Sequence, residues 1–122
     1  MSPIKTLVIV EDDPLIAMDI RERCENAGYL VLAVTGSVAQ AEREFADHCP
    51  DAIVTDMDLG PGGSGCEIVE AIRERCPDIK VVFVTGTTDP MKLERIATTK
   101  PEAVLSKPLP PHRLEDALQA LG

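Results

Sequence analysis

Short apolar runs and amphipathic segments alternate along this chain without a break from Lys5 to Leu121. Lys5 to Val10 (KTLVIV) suits a strand covered on both faces. The next segment has a helical period: Ile16, Ile20, Cys24 and Ala27 recur at three- and four-residue intervals, with Asp13 as N-cap, Pro14 at the first helical position and Gly28 as terminator. The pattern then repeats. Tyr29 to Val34 predicts a strand, Ser37 to His48 a helix with Val38, Ala41 and Phe45 inward, and Asp51 to Thr55 (DAIVT) a strand. A glycine-rich loop, Gly60 to Gly65, leads into a helix carrying Ile68, Val69, Ile72 and Cys76. Ile79 to Val84 (IKVVFV) is the clearest strand, Pro90 to Thr99 a weaker helix and Ala103 to Ser106 a short strand. A last helix places Leu114, Ala117, Leu118 and Leu121 on one stripe.

Five strands alternating with five helices require right-handed crossovers and a parallel sheet with helices on both faces. At 122 residues there is room for one domain, residues 1–122. The arrangement that fits is a doubly wound five-stranded parallel sheet of order 2-1-3-4-5, the flavodoxin-like (βα)5 fold, whose switch point lies between the first and third strands. Ligands bind at such a point. Glu11 and Asp12 follow the first strand; Asp56 and Asp58 follow the third. Crowded carboxylates repel, and desolvating them costs several kcal/mol unless a cation compensates, so the convergence calls for a hard divalent ion.

Composition narrows the partners. The net charge of −9 repels phosphate backbones and anionic lipid, which argues against nucleic acid. No apolar run approaches the roughly 20 residues of a membrane span, and Met1 to Thr6 has no signal-peptide core, so a cytoplasmic protein without membrane contact is expected. Cys24, Cys49, Cys66 and Cys76 form no CxxC pair, and no histidine stands at ligand spacing from them. Reduced, buried thiols are expected rather than a disulfide or a zinc site.

Three motifs mimic other chemistries. Gly60, Gly62 and Gly65 spell GxGxxG, but they follow the third strand, and Asp56 and Asp58 would repel a pyrophosphate; a flexible turn entering a helix is the better reading. DMDLG, residues 56 to 60, resembles the DxD of haloacid-dehalogenase-type phosphatases, yet those enzymes place the pair after their first strand. It remains the alternative enzyme reading. A serine hydrolase is weaker still, because residues 62 to 66 (GGSGC) lack the final glycine of a nucleophile elbow. Asp13, Asp51, Asp78 and Asp89 read as solvated caps and turn formers. Turn chemistry does not require Glu11, Asp12 and Asp56 at three separate strand-end positions on the ligand side.

The acidic pair Glu11-Asp12, then Asp56, then Thr85-Gly86 after the fourth strand and Lys107-Pro108 after the fifth occur in order over essentially the whole chain. In this the sequence resembles the receiver domain of two-component response regulators. The resemblance implies a phosphoacceptor switch rather than an enzyme. Asp56 would accept a phosphoryl group from a phosphohistidine of a sensor histidine kinase or histidine phosphotransfer protein. Mg²⁺ would be held by Glu11, Asp12, Asp56 and the backbone carbonyl at Asp58, while Lys107 and Thr85 would contact phosphoryl oxygens. It also implies a cis Lys107-Pro108 bond.

Departures from the family pattern carry further expectations. Val104 stands three residues before the lysine, where most receivers have Tyr or Phe, so the threonine-to-aromatic relay cannot operate in its usual form. The loop after Asp56 is one residue longer than usual, and Asp58 occupies the position that tunes acyl-phosphate hydrolysis. The helix at Pro90 to Thr99 is the expected mobile element. The sequence stops after its fifth helix, as in single-domain receivers that act by binding a downstream protein or passing the phosphoryl group on. Met18 on the first helix and the Leu109-Pro110-Pro111 loop are the candidate docking edges. A pseudo-receiver that binds partners without phosphorylation is the remaining alternative.

Overall fold

The computed structural model describes residues 5–121; Met1 to Ile4, part of the segment read above for a leader, and Gly122 lie outside the described residues. The strands are β1 (Lys5–Val10), β2 (Tyr29–Thr35), β3 (Ala52–Thr55), β4 (Lys80–Thr85) and β5 (Ala103–Ser106). Between and after them run α1 (Pro14–Asn26), α2 (Val38–Glu44), α3 (Gly65–Arg75), α4 (Pro90–Thr98) and α5 (Arg113–Ala120), with a short 3₁₀ turn at Gly60–Gly62. The sheet is parallel in the order β2-β1-β3-β4-β5. This is the expected doubly wound order.

Alternation along β1 explains the two layers. Val8 and Val10 pack with Phe45, Ile53, Ile68, Val69 and Phe83 on the face covered by α2 and α3, where α4 adds Ile96. Leu7 and Ile9 pack with Ile20, Cys24, Val54, Leu105, Leu114 and Leu118 on the face covered by α1 and α5. Leu7 to Val10 of β1 are all fully buried, as a central parallel strand requires. Each fully buried aliphatic side chain contributes about 1.5–3 kcal/mol.

Helix starts follow the capping residues. The Asp13 carboxylate accepts the N–H of Leu15 and Ile16, Asp89 accepts that of Met91, and Ser64 accepts that of Cys66. Gly28, just beyond α1, has φ +92°, a conformation that suits glycine. Helix α2 is shorter than its pattern predicts: it stops at Glu44, not His48. Pro50 has no N–H to offer the Ala46 carbonyl as a helical partner, and Arg75 on α3 donates to that oxygen instead, at 2.6 Å.

The cysteines correct the expectation of reduced thiols in part. Cys24 and Cys66 are free and buried, but Cys49 and Cys76 form a disulfide. Cys76 caps the C-terminus of α3 beside the chain entering β3, with a Cα–Cα distance of 5.7 Å. Sequence spacing carries no trace of that approach. No described helix is long and apolar enough to cross a membrane.

Candidate functional site

The three consecutive acids at the end of β1 take three different environments. Glu11 is 4% exposed; its Oε1 accepts the N–H of Asp13 at 3.1 Å and its Oε2 accepts Nζ of Lys107 at 2.7 Å. Asp12 is exposed at the rim, and Asp13 turns away to cap α1. One buried, one open, one structural: the repulsion that three consecutive acids invite is relieved by distributing the carboxylates.

Asp56 arrives from β3. Its backbone N–H donates to the Val10 carbonyl at 3.0 Å, which locks the two strand ends side by side. Oδ1 accepts the N–H of Met57 at 2.6 Å, and Oδ2 accepts Nζ of Lys107 at 2.9 Å. Carboxylate oxygens of Glu11, Asp12 and Asp56 lie within 4.8 Å of one another. Donors that are all oxygen, anionic and this close fit a hard divalent cation.

Lys107 is the single ammonium serving both inner acids. The backbone of β5 places it: its N–H donates to the Thr85 carbonyl at 3.0 Å, and its bond to Pro108 is cis, as the resemblance implied. Burial opposes the charge on Lys107, but the hydrogen bonds to Glu11 and Asp56 outweigh burial and raise its pKa. For Glu11, burial dominates and raises the pKa against the contrary pull of the Lys107 ammonium and the Asp13 N–H.

Thr85 is buried at the end of β4, and its Oγ1 accepts the Thr87 N–H at 3.3 Å. Asp58 does not join the carboxylate cluster through its side chain, which reaches across to Nζ of Lys92 on α4 at 3.0 and 3.1 Å. Sequence reasoning missed Lys92. Nothing local marks a partner 34 residues away. It also missed Gly65, whose α-carbon lies so close to the Asp56 carbonyl that a Cβ there would stand 2.0 Å from the oxygen. The GxGxxG spacing flagged that glycine as a turn residue, whereas it is the first residue of α3, pressed against the phosphoacceptor candidate's own peptide.

The two candidate docking edges lie on α1 and on the loop between β5 and α5. Met18 is 69% exposed on α1, beside Leu15 at 78%, and Arg23 of the same helix donates to the Pro110 carbonyl at 3.2 Å. Val104 lies on β5 and is half exposed.

Comparison with known proteins agrees with this geometry. The family model described as the response regulator receiver domain matches residues 7–119. The photosynthetic apparatus regulatory protein RegA of Cereibacter sphaeroides is 31% identical over 121 residues, covering 97% of this chain and 63% of RegA. The acid tolerance regulatory protein ActR of Sinorhizobium medicae is 34% identical over 86 residues, covering 70% of this chain and 43% of ActR. The chain thus spans about half the length of these relatives. Among solved structures, the signal receiver domain of a modulated diguanylate cyclase from Desulfovibrio desulfuricans superposes with a TM-score of 0.86 at 27% identity, covering 97% of this chain and 93% of that one. With its strand order, its strand-end acids and a family match over nearly its full length, the chain belongs to the response regulator receiver domains of two-component signalling.

Proposed function

We propose that residues 1–122 act as one receiver unit, a phosphoacceptor switch in which Asp56 takes a phosphoryl group from a phosphohistidine of a sensor histidine kinase or histidine phosphotransfer protein. The observation that carries this reading is the shared ammonium: Lys107 lies within 2.9 Å of carboxylates from two different strands, with Asp12 completing the cluster at the rim. Glu11, Asp12, Asp56 and the backbone carbonyl at Asp58 would hold Mg²⁺, which supplies positive charge between the carboxylate and an incoming anionic phosphoryl group.

The chain's own residues do the rest. The Met57 N–H pins Oδ1 of Asp56, so Oδ2 is the oxygen free to bond phosphorus once Lys107 moves with the charge. As the O–P bond forms and the P–N bond breaks, the electron pair returns to the imidazole nitrogen of the donor, and the Lys107 ammonium follows onto a phosphoryl oxygen. Thr85 exchanges its contact with the Thr87 N–H for a hydroxyl donation to another phosphoryl oxygen, drawing the loop after β4 toward Asp56. With Val104 at the relay position, that movement is read at the start of α4, not by an aromatic rotamer. The activity is that of a cytoplasmic signalling domain without turnover of external substrates or contact with nucleic acid.

Acetyl phosphate with Mg²⁺, read by intact mass, tests this. The native chain is expected to gain one phosphoryl mass and Asp56→Asn none. A native chain that stays unlabelled with Mg²⁺ bound is a pseudo-receiver, and steady release of phosphate from added phosphomonoesters would restore the phosphatase reading.

A further inference from the structure

We propose that the Cys49–Cys76 disulfide is a thiol-exchange site, opened at Cys49 by a low-molecular-weight thiol bearing carboxylates, of the glutathione class. This goes beyond the phosphoacceptor reading and does not depend on it.

The bond sits at the opposite end of the sheet from the acidic cluster. Cys49 precedes β3 and Asp56 follows it, so roughly 20 Å of extended chain separate the two. There the disulfide lines a cleft of about 430 Å³ shared with Lys5, Arg75 and Lys80. Its charged residues are Lys5, Arg75 and Lys80 against Asp51 and Asp78, an excess of one positive charge, and Asp51 also accepts the Thr6 N–H at 2.7 Å. In a chain of net charge −9, a locally cationic cleft is the place an anionic thiol would enter.

Access selects the sulfur. Cys49 is exposed, whereas Cys76 is 4% exposed, so a nucleophile reaches the Cys49 Sγ and leaves Cys76 as the departing sulfur. The other two cysteines are out of the reaction. Cys24 and Cys66 are 0% exposed, and burial pushes the Cys24 thiol up to about 12.

The exchange balances with the small thiol as the only co-reactant. Its thiolate attacks the Cys49 Sγ, the S–S bond breaks, and the electron pair goes to the Cys76 Sγ, which takes a proton from water. A second small thiol attacks the mixed disulfide, releasing the oxidised small-thiol dimer and a Cys49 thiolate that is protonated in turn. The two small thiols have supplied the two electrons. Opening the bond removes a cross-link across 27 residues that ties β3 to the far end of α3, so the reduced chain should melt several degrees lower.

The test uses the full chain. Denaturation in alkylating agent without reductant should modify two cysteines, Cys24 and Cys66; modification of all four would show that no bond exists and overturn the proposal. The native chain treated with glutathione and quenched by alkylation should carry glutathione at Cys49 and the alkyl group at Cys76, located by peptide mapping. A bond that opens only under unfolding conditions, or an adduct mapped to Cys76, refutes the site. Opening should be severalfold faster with glutathione than with an uncharged thiol at equal thiolate concentration, and the difference should vanish in the Lys5→Gln/Lys80→Gln double variant. Equal rates in the native chain would refute the carboxylate-bearing class.

Discussion

A methyl group at position 65 has nowhere to go. A Cβ on Gly65 would stand 2.0 Å from the Asp56 carbonyl oxygen, against the 3.4 Å at which ordinary contact begins, and 2.9 Å from the Thr55 hydroxyl. The closer of the two contacts is backbone and has no rotamer by which to move aside. Helix α3 cannot back away without stretching the 2.9 Å bond from its own N–H to the Met57 carbonyl and lifting Cys66, Ile68 and Val69, all fully buried, from the core. Overpacking of this kind costs about 1–3 kcal/mol, the strained hydrogen bond about 1 more, and the entropy gained by replacing glycine returns about half to one. Gly65→Ala should therefore lower stability by about 1–3.5 kcal/mol, a sizeable share of the roughly 5–15 typical of a domain. It should also slow acetyl phosphate labelling, because relief of the clash moves the peptide that carries Asp56. Urea unfolding and intact mass measure the two effects. Gly86→Ala is the control, since the nearest atom to its Cβ, on Lys107, is 3.8 Å away. If Gly65→Ala matches Gly86→Ala within about 0.5 kcal/mol, the scale of an ordinary surface change, and labels normally, the close approach has no energetic weight.

The acidic cluster should show in the pH dependence of stability. Glu11 is raised chiefly by burial, so the folded protein holds that proton more tightly than the unfolded chain does. Relative to Glu11→Gln, the native chain should be most stable below the ordinary carboxylate range and lose ground as pH rises through the raised folded value; urea midpoints that diverge the other way would contradict this. Lys92→Ala should leave the melting temperature unchanged, as its pair with Asp58 is exposed, yet slow labelling by an anionic donor severalfold because the Asp58 carboxylate is then unneutralised beside Asp56. Hydrogen exchange should be faster in α4, which buries only Ile96, than in α5, which buries Leu114, Ala117 and Leu118. Equal protection would remove α4 as the mobile element.

Much of the fold was legible because its signals are local. Full burial of Leu7 to Val10 follows from an unbroken apolar run, and α1 begins where Asp13 and Pro14 say it should. β5 runs from Ala103 to Ser106 as its pattern predicts. The errors fall where distant groups intervene. Helix α2 stops a turn early, with Arg75 on the Ala46 carbonyl just beyond it, and Cys49 meets Cys76 because α3 ends beside the chain entering β3. Asp58 is drawn to Lys92, a residue with no sequence mark of its own.

By itself, then, the sequence determined the alternation, the parallel order it compels, and which acids stand at strand ends, since hydrophobic period, capping and crossover handedness act within a few tens of residues. Only the tertiary structure decided how three adjacent carboxylates divide their labour and that one ammonium serves both Glu11 and Asp56. Those outcomes depend on distances of a few ångströms between strands far apart in the chain, and Coulomb and hydrogen-bond energies change most steeply over just that range.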